Sequence, residues 1–326
     1  MTDLESIRRS KAVQRHTGLT FHLATRLLPE RVRHSTYVLY AFFRTADEVV
    51  DASDPDPPAE MRRELERLRA AALGERETDD PVLTAVADLR ARHGIAREEI
   101  DTFVDSMLMD VETARYETFA ELETYLRGSS VAVGHMMLDV MDPAEAERAR
   151  PPAAALGEAF QLTNFLRDVR EDVREYDRIY LPEATLRAHG ASHADVEALD
   201  PTDGVRAAIR AELRRTERRY HRGVDGIRYL PPDCQFPVLA AAVMYADQHR
   251  LVREQGCDVL SARPTLTRRR RLSLVARAWV RWQFESDPLR VFYRVTDLDP
   301  PADADAGAVG RESVAGPSRS DRPQRG

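Results

Sequence analysis

Four aspartates carry the first chemical signal in this chain: Asp47 with Asp51, and Asp168 with Asp172. Each pair is spaced four residues apart within a helical pattern. Four residues advance about 400° around a helix, so each pair shares one face within about 40°. Two carboxylates so placed suit a hard divalent cation such as Mg²⁺, which prefers oxygen ligands and usually takes one or two carboxylates plus substrate phosphates. The bare spacing is weak, because 55 acids in 326 residues give about nine such pairs by chance.

Context sharpens the two pairs. Before Asp47 the same face carries Tyr40, Phe43 and Arg44, and before Asp168 it carries Gln161, Asn164, Phe165 and Arg167. Asn164, Asp168 and Asp172 form a stripe at i, i+4 and i+8. The helix beneath that stripe is expected to bury Phe160, Leu162, Phe165 and Leu166. Polar groups beside a buried face need partners. Arg44 and Arg167 could be those partners, giving two intramolecular ion-pair clusters. Alternatively the arginines hold phosphate oxygens. Periodicity leaves both readings open.

The elements that position these residues read as helices throughout. Candidates cover 19–28, 31–50, 59–73, 81–93, 97–112, 118–140, 153–173, 204–227, 232–254 and 267–282. Asp79-Asp80-Pro81 reads as a cap followed by a first-turn proline. Pro151-Pro152 reads as a break before the helix of the second acid pair. Gly128 to Gly134 is a small-residue segment suited to close helix packing, and it could also line a tunnel. No alternating strand pattern bounded by Asn-Gly or Asp-Gly occurs. The expectation is one all-α domain, a single large helical bundle over 15–295, after an N-terminal arm over 1–14. From about Pro300 large apolar residues disappear, so 300–326 is expected to be a disordered tail.

Composition excludes several function classes. The net charge is −7, a poor prior for nucleic-acid binding. Two cysteines cannot build a disulfide framework or a Cys-rich zinc site. His22, His135 and His221 lack the His-Glu-x-x-His spacing of zinc enzymes. Met1–Val13 has no apolar signal core and no run suits a membrane span, so a cytoplasmic protein is expected. The basic run Arg268–Arg271 reads as a solvated helix start, with peripheral contact to anionic lipid headgroups as its functional rival.

Two stretches resemble a known family. One is Thr20-Phe21-His22-Leu23-Ala24-Thr25 with Tyr40, Arg44, Asp47, Glu48 and Asp51. The other is Gln161-Leu162-Thr163-Asn164-Phe165-Leu166-Arg167-Asp168 with Asp172 and Arg178-Ile179-Tyr180-Leu181-Pro182. Both are similar to the trans-isoprenyl diphosphate head-to-head synthases, the squalene/phytoene synthase family, and most like its bacterial phytoene-forming members. Met107 to Asp110, Tyr125 and the span from Ala242 to Val259 extend the likeness over roughly 15–290. Three positions depart from the family pattern, among them Cys257, which stands where an aromatic is frequent. Glu48 stands where a second aspartate is usual, and Leu19 replaces a polar residue beside Thr20.

The resemblance implies a class I terpenoid-synthase fold with the aspartates facing each other across a central cavity. It implies Asp47, Asp51, Asp168 and Asp172 as catalytic metal ligands for Mg²⁺ (or Mn²⁺), with Asn164 as a further ligand. Arg44, Arg167 and Arg263 would hold diphosphate, and Thr20 the second diphosphate. Phe21, Tyr40, Tyr125, Gln161, Tyr180 and Tyr245 would surround the reacting carbons, Tyr245 also being a candidate proton acceptor. The implied reaction joins two geranylgeranyl diphosphates through a cyclopropylcarbinyl diphosphate to phytoene, with no NADPH. Dehydrosqualene or squalene formation from farnesyl diphosphate is the alternative within the family, and a non-catalytic assembly factor the alternative outside its chemistry. Thr25 lies one turn from Phe21 and is small, which favours the longer C20 chain.

Overall fold

The structure, a computed structural model, describes residues 19–52 and 56–300, with only the backbone for Leu19, Phe21 and His22. The expected N-terminal arm and the tail beyond Pro300 lie outside the described residues. Fourteen α-helices follow one another among the described residues, and no strand does. They are α1 (Leu19–Leu27), α2 (Glu30–Val50), α3 (Pro58–Ala72), α4 (Pro81–His93), α5 (Arg97–Asp110), α6 (Phe119–Leu126), α7 (Val133–Met141) and α8 (Ala146–Tyr176). There follow α9 (Glu183–Ala188), α10 (His193–Glu197), α11 (Asp203–Asp225), α12 (Pro232–Glu254), α13 (Arg268–Trp282) and α14 (Pro288–Thr296). Helix α4 shows the local logic. The Asp80 side chain accepts from Val82 N at 2.8 Å, Pro81 opens the first turn, and Gly94 closes the helix at φ +68°.

The core is built in adjoining parts. Val32, Leu39, Phe42, Leu65, Leu83 and Phe103 bury against one another between α2, α3, α4 and α5. Leu156, Tyr220, Leu239, Val243, Leu274 and Phe292 do the same between α8, α11, α12, α13 and α14. Helix α8 runs beside α11, α12 and α7, so the second acid stripe sits on a strut shared by much of the bundle.

Two expectations need correction. Pro151 and Pro152 do not start a helix; they lie inside the 31-residue α8. They forgo two backbone donors in its second turn, where tertiary packing overrides the local cost. Pro152 fills the place that a side chain on Gly226 would take: a Cβ there would lie 2.1 Å from Pro152 Cβ. The helix expected over 118–140 is also not uniform. Between α6 and α7, Arg127–Ala132 forms a π-turn. It presses Gly128 so close to α5 that a Cβ would lie 2.2 Å from the Thr102 carbonyl oxygen. The small-residue segment therefore does pack closely.

Candidate active site

The first acid pair sits at the end of α2. Asp47 is in its last turn and Asp51 is its C-terminal cap, with Asp51 N donating to Asp47 O at 2.8 Å. The second pair sits one helical turn apart near the end of α8. Chain reversal after α8 brings the two together. Asp177 turns the backbone at φ +52°, and Ile179 pairs with Arg115 in an isolated parallel bridge. That path delivers Arg178 to α2. Its guanidinium donates to Asp51 Oδ1 at 2.6 Å and to the Val50 carbonyl at 3.0 Å.

The arginines are paired with carboxylates here. Arg44 Nη1 donates to Asp47 Oδ2 at 3.1 Å. Arg167 Nε donates to Asp168 Oδ1 at 2.6 Å, and Arg263 Nε reaches the same oxygen at 2.7 Å. Asp172 has no ion-pair partner within reach among the described residues. Burial pushes its carboxyl well above the usual range, and the charges of Asp168, Glu171 and Asp51 push the same way. Asp47 is likewise raised to about 7, by burial first, against the pull of Arg44. Asp172 thus feels the charge of Asp51 from the other motif, with Arg178 pulling the opposite way.

Beside them lies a cavity of about 630 Å³. Thr20, Tyr40, Arg44, Asp47, Asn164 and Arg167 supply its polar wall. Phe103, Met107, Met137, Leu138 and Met141 supply an apolar one. Thr25, Tyr125, Gln161, Tyr245 and Arg263 line it too, as do Ser129, Ser130 and Gly134 of the small-residue segment. Tyr245 stacks on Phe160 with ring centroids 4.6 Å apart, and burial raises its phenol to about 12. The Phe21 side chain falls outside the described residues.

Some expected cavity residues are placed elsewhere. Asp51, Asp168 and Asp172 flank the cavity rather than line it; Asp51 is held by Arg178, and Asp168 by Arg167 and Arg263. Tyr180 does not line it either. Its ring lies flat on Phe165 at 3.8 Å between centroids, and its hydroxyl donates to Asp110 Oδ1 at 3.3 Å. It supports the wall from behind.

Two groups carry more than their sequence context suggested. Asp110, nearly buried at the end of α5, accepts from Tyr125 OH at 2.8 Å as well as from Tyr180, and lies 4.0 Å from Arg178 Nε. Burial raises its carboxyl to about 6. Arg271 corrects the reading of the basic run as a solvated start. Its Nε donates to Thr20 Oγ1 at 3.1 Å, and it lines the cavity. Burial first, and then the Arg167 charge, lower its pKa. Neighbouring Arg270 also turns inward, pairing with fully buried Asp247 at 2.6 Å. A run of four identical letters gives no sign of which members turn inward; only the helix phase does.

The molecule resembles known proteins in both sequence and shape. A model of the squalene/phytoene synthase family matches residues 14–270. Phytoene synthase of Rhodobacter capsulatus is 33% identical over 265 residues, covering 79% of this chain and 76% of its own. The 15-cis-phytoene synthase of Synechococcus elongatus is 33% identical over 282 residues, covering 80% and 88%. Among solved structures, a dehydrosqualene synthase in complex with ligand superposes with a TM-score of 0.78 at 25% identity, covering 87% of this chain and 98% of its own. Squalene synthase HpnC from Alicyclobacillus acidocaldarius gives 0.69 at 26%, covering 78% and 94%. The all-α fold is that of terpenoid synthases, and the chain belongs to the squalene/phytoene synthase family as a prenyltransferase.

Proposed function

We propose that this prenyltransferase condenses two geranylgeranyl diphosphates head to head to phytoene, in carotenoid biosynthesis. The observation that carries the reading is one cavity with a wall of four arginine guanidinium groups and the Asp47 carboxylate and another of Phe and Met side chains. A prenyl diphosphate has the same two parts. The relatives named phytoene synthase support the choice within the family. Thr25 supports the C20 chain: it is buried in the cavity wall and leaves room where a large side chain would close it.

The donor set fits Mg²⁺. No three His, Cys, Asp or Glu among the described residues could hold a metal on their own. Mg²⁺ usually takes one or two carboxylates and completes its shell with substrate phosphates. Asp47 and Asp51 would hold it on one side, and Asp168 and Asp172 with Asn164 on the other, each pair together with substrate phosphates. When bound, the ion neutralises the diphosphate and makes it a better leaving group.

The chain's own residues do the rest. Arg44, Arg167 and Arg263 exchange carboxylate partners for diphosphate oxygens, and Arg271, bound only to Thr20, takes them as well. The C1–O bond of one substrate breaks, and its diphosphate leaves with the bonding pair. The apolar wall excludes water from the allylic cation, and the faces of Tyr40, Tyr125 and the Phe160–Tyr245 stack favour positive charge. The double bond of the second substrate attacks C1, and loss of a proton closes the cyclopropane. A second C1–O cleavage, rearrangement and a final proton loss give phytoene, so the balance is two diphosphates and two protons released with no reductant. Tyr245, raised to about 12, is neutral at ordinary pH and orients the cation or relays the proton to diphosphate.

Feeding farnesyl and geranylgeranyl diphosphate separately, with chromatography of the products, tests the substrate. A clear preference for the farnesyl chain overturns this choice and leaves the dehydrosqualene reading, which the structural neighbour favours.

A further inference from the structure

All four large hydrophobic side chains that stand exposed among the described residues belong to one helix and its exit. Leu272 is 51% exposed, Trp279 50%, Val280 56% and, just past α13, Phe284 89%. On the helix, Leu272, Trp279 and Val280 fall within an arc of about 100°. The opposite side buries Leu274 and Ala278 in the bundle. An unpartnered apolar stripe of this kind marks an interaction surface.

Its charge identifies the partner. Helix α13 has six arginines and no acid, in a chain whose net charge is −7. Arg270 and Arg271 point inward to Asp247 and Thr20. Arg268, Arg269 and Arg281 are exposed, with no carboxylate partner among the described residues. Arginines flanking an apolar stripe with an exposed Trp suit a helix lying in the headgroup layer of an anionic membrane. The stripe is also continuous with the cavity wall. Trp279 packs edge-on against Phe236 at 5.0 Å, and the next two residues, Pro237 and Val238, line the cavity.

We propose that the outward face of α13, from Arg268 to Phe284, docks this protein on an anionic lipid bilayer. Its place beside the cavity suits a lipid substrate drawn from, and a hydrocarbon product returned to, the bilayer. That convenience rests on the proposed function; the docking surface itself does not.

The test is co-sedimentation of the full chain with phosphatidylcholine vesicles, with and without phosphatidylglycerol. Wild type is expected to pellet with the anionic vesicles and to be released by salt. Trp279→Ser with Phe284→Ser is expected to weaken partitioning by about tenfold or more. Arg268→Gln with Arg269→Gln is expected to weaken it by about tenfold on anionic vesicles only. Circular dichroism and diphosphate release in detergent should match wild type in both variants. Wild type that ignores anionic vesicles, or variants that pellet like wild type, overturns the proposal. So does a concentration-dependent dimer in sedimentation velocity that Trp279→Ser abolishes while vesicles bind neither form, which makes this face a contact between copies. The readout is binding, so an error about the prenyl substrate leaves it unaffected.

Discussion

Arg178 donates to Asp51 at 2.6 Å, tying the end of the first acid-bearing helix to the exit of the second. The same guanidinium lies 4.0 Å from buried Asp110. Its side chain is only 10% exposed, so one cation serves two carboxylates away from bulk water.

Removing that cation strands both acids. Arg178→Ala should therefore destabilise the protein by about 3 kcal/mol, as breaking buried ion pairs does. Urea unfolding measures it. A loss below about 1 kcal/mol would mean that Asp110 is satisfied by Tyr125 and Tyr180 alone.

The Asp47 carboxyl is raised to about 7, by burial first, then by Asp51 and Asp110 against Arg44. An acid whose folded pKa lies above its unfolded 3.8 contributes stability that is full below 3.8 and lost as pH climbs through about 7. With chelator present, wild type should lose stability across that window relative to Asp47→Asn. A bound cation competes with the same proton. Mg²⁺ should therefore raise the melting temperature more at about pH 8 than at about pH 6. Equal rises would show that Asp47 holds no proton in this range.

Arg271 lines the cavity with no carboxylate partner among the described residues, donating to Thr20 and feeling the charge of Arg167. Arg271→Ala should leave unfolding free energy within about 0.5 kcal/mol of wild type, because it removes a desolvated cation rather than a pair. KM for the prenyl diphosphate should rise about tenfold or more. Unchanged KM, together with unchanged inhibition by inorganic diphosphate, would place Arg271 outside the anion site.

Thr25 is 2% exposed and lines the cavity. Thr25→Phe should shorten the space for the prenyl chain. The ratio of kcat/KM for geranylgeranyl over farnesyl diphosphate should fall about tenfold or more. A ratio that does not move would show that the chain runs elsewhere.

Much of this arrangement was legible in the residues, for identifiable reasons. Apolar spacing gave the helices because most of them bury one face. The aspartate stripes stood out because polar residues there adjoin Phe160, Leu162 and Phe165. What stayed hidden depends on contacts between distant segments. Pro151 and Pro152 look like a break until Gly226 is seen to make room for them. Tyr180 reads as a cavity residue, yet the bridge between Arg115 and Ile179 lays it on Phe165, behind the wall. Asp110 is one acid among 55 until two tyrosines and Arg178 converge on it.

On the proposed function, the aspartates at the ends of α2 and α8 drive ionisation of two geranylgeranyl diphosphates. The most direct measurement is phytoene formed from geranylgeranyl diphosphate and Mg²⁺ by wild type, Asp47→Ala and Asp168→Ala, all checked for folding. Wild type should form phytoene with two diphosphates released per molecule, and each variant should lose about a thousandfold or more. Folded variants that both make phytoene at the wild-type rate would contradict that role of the aspartates.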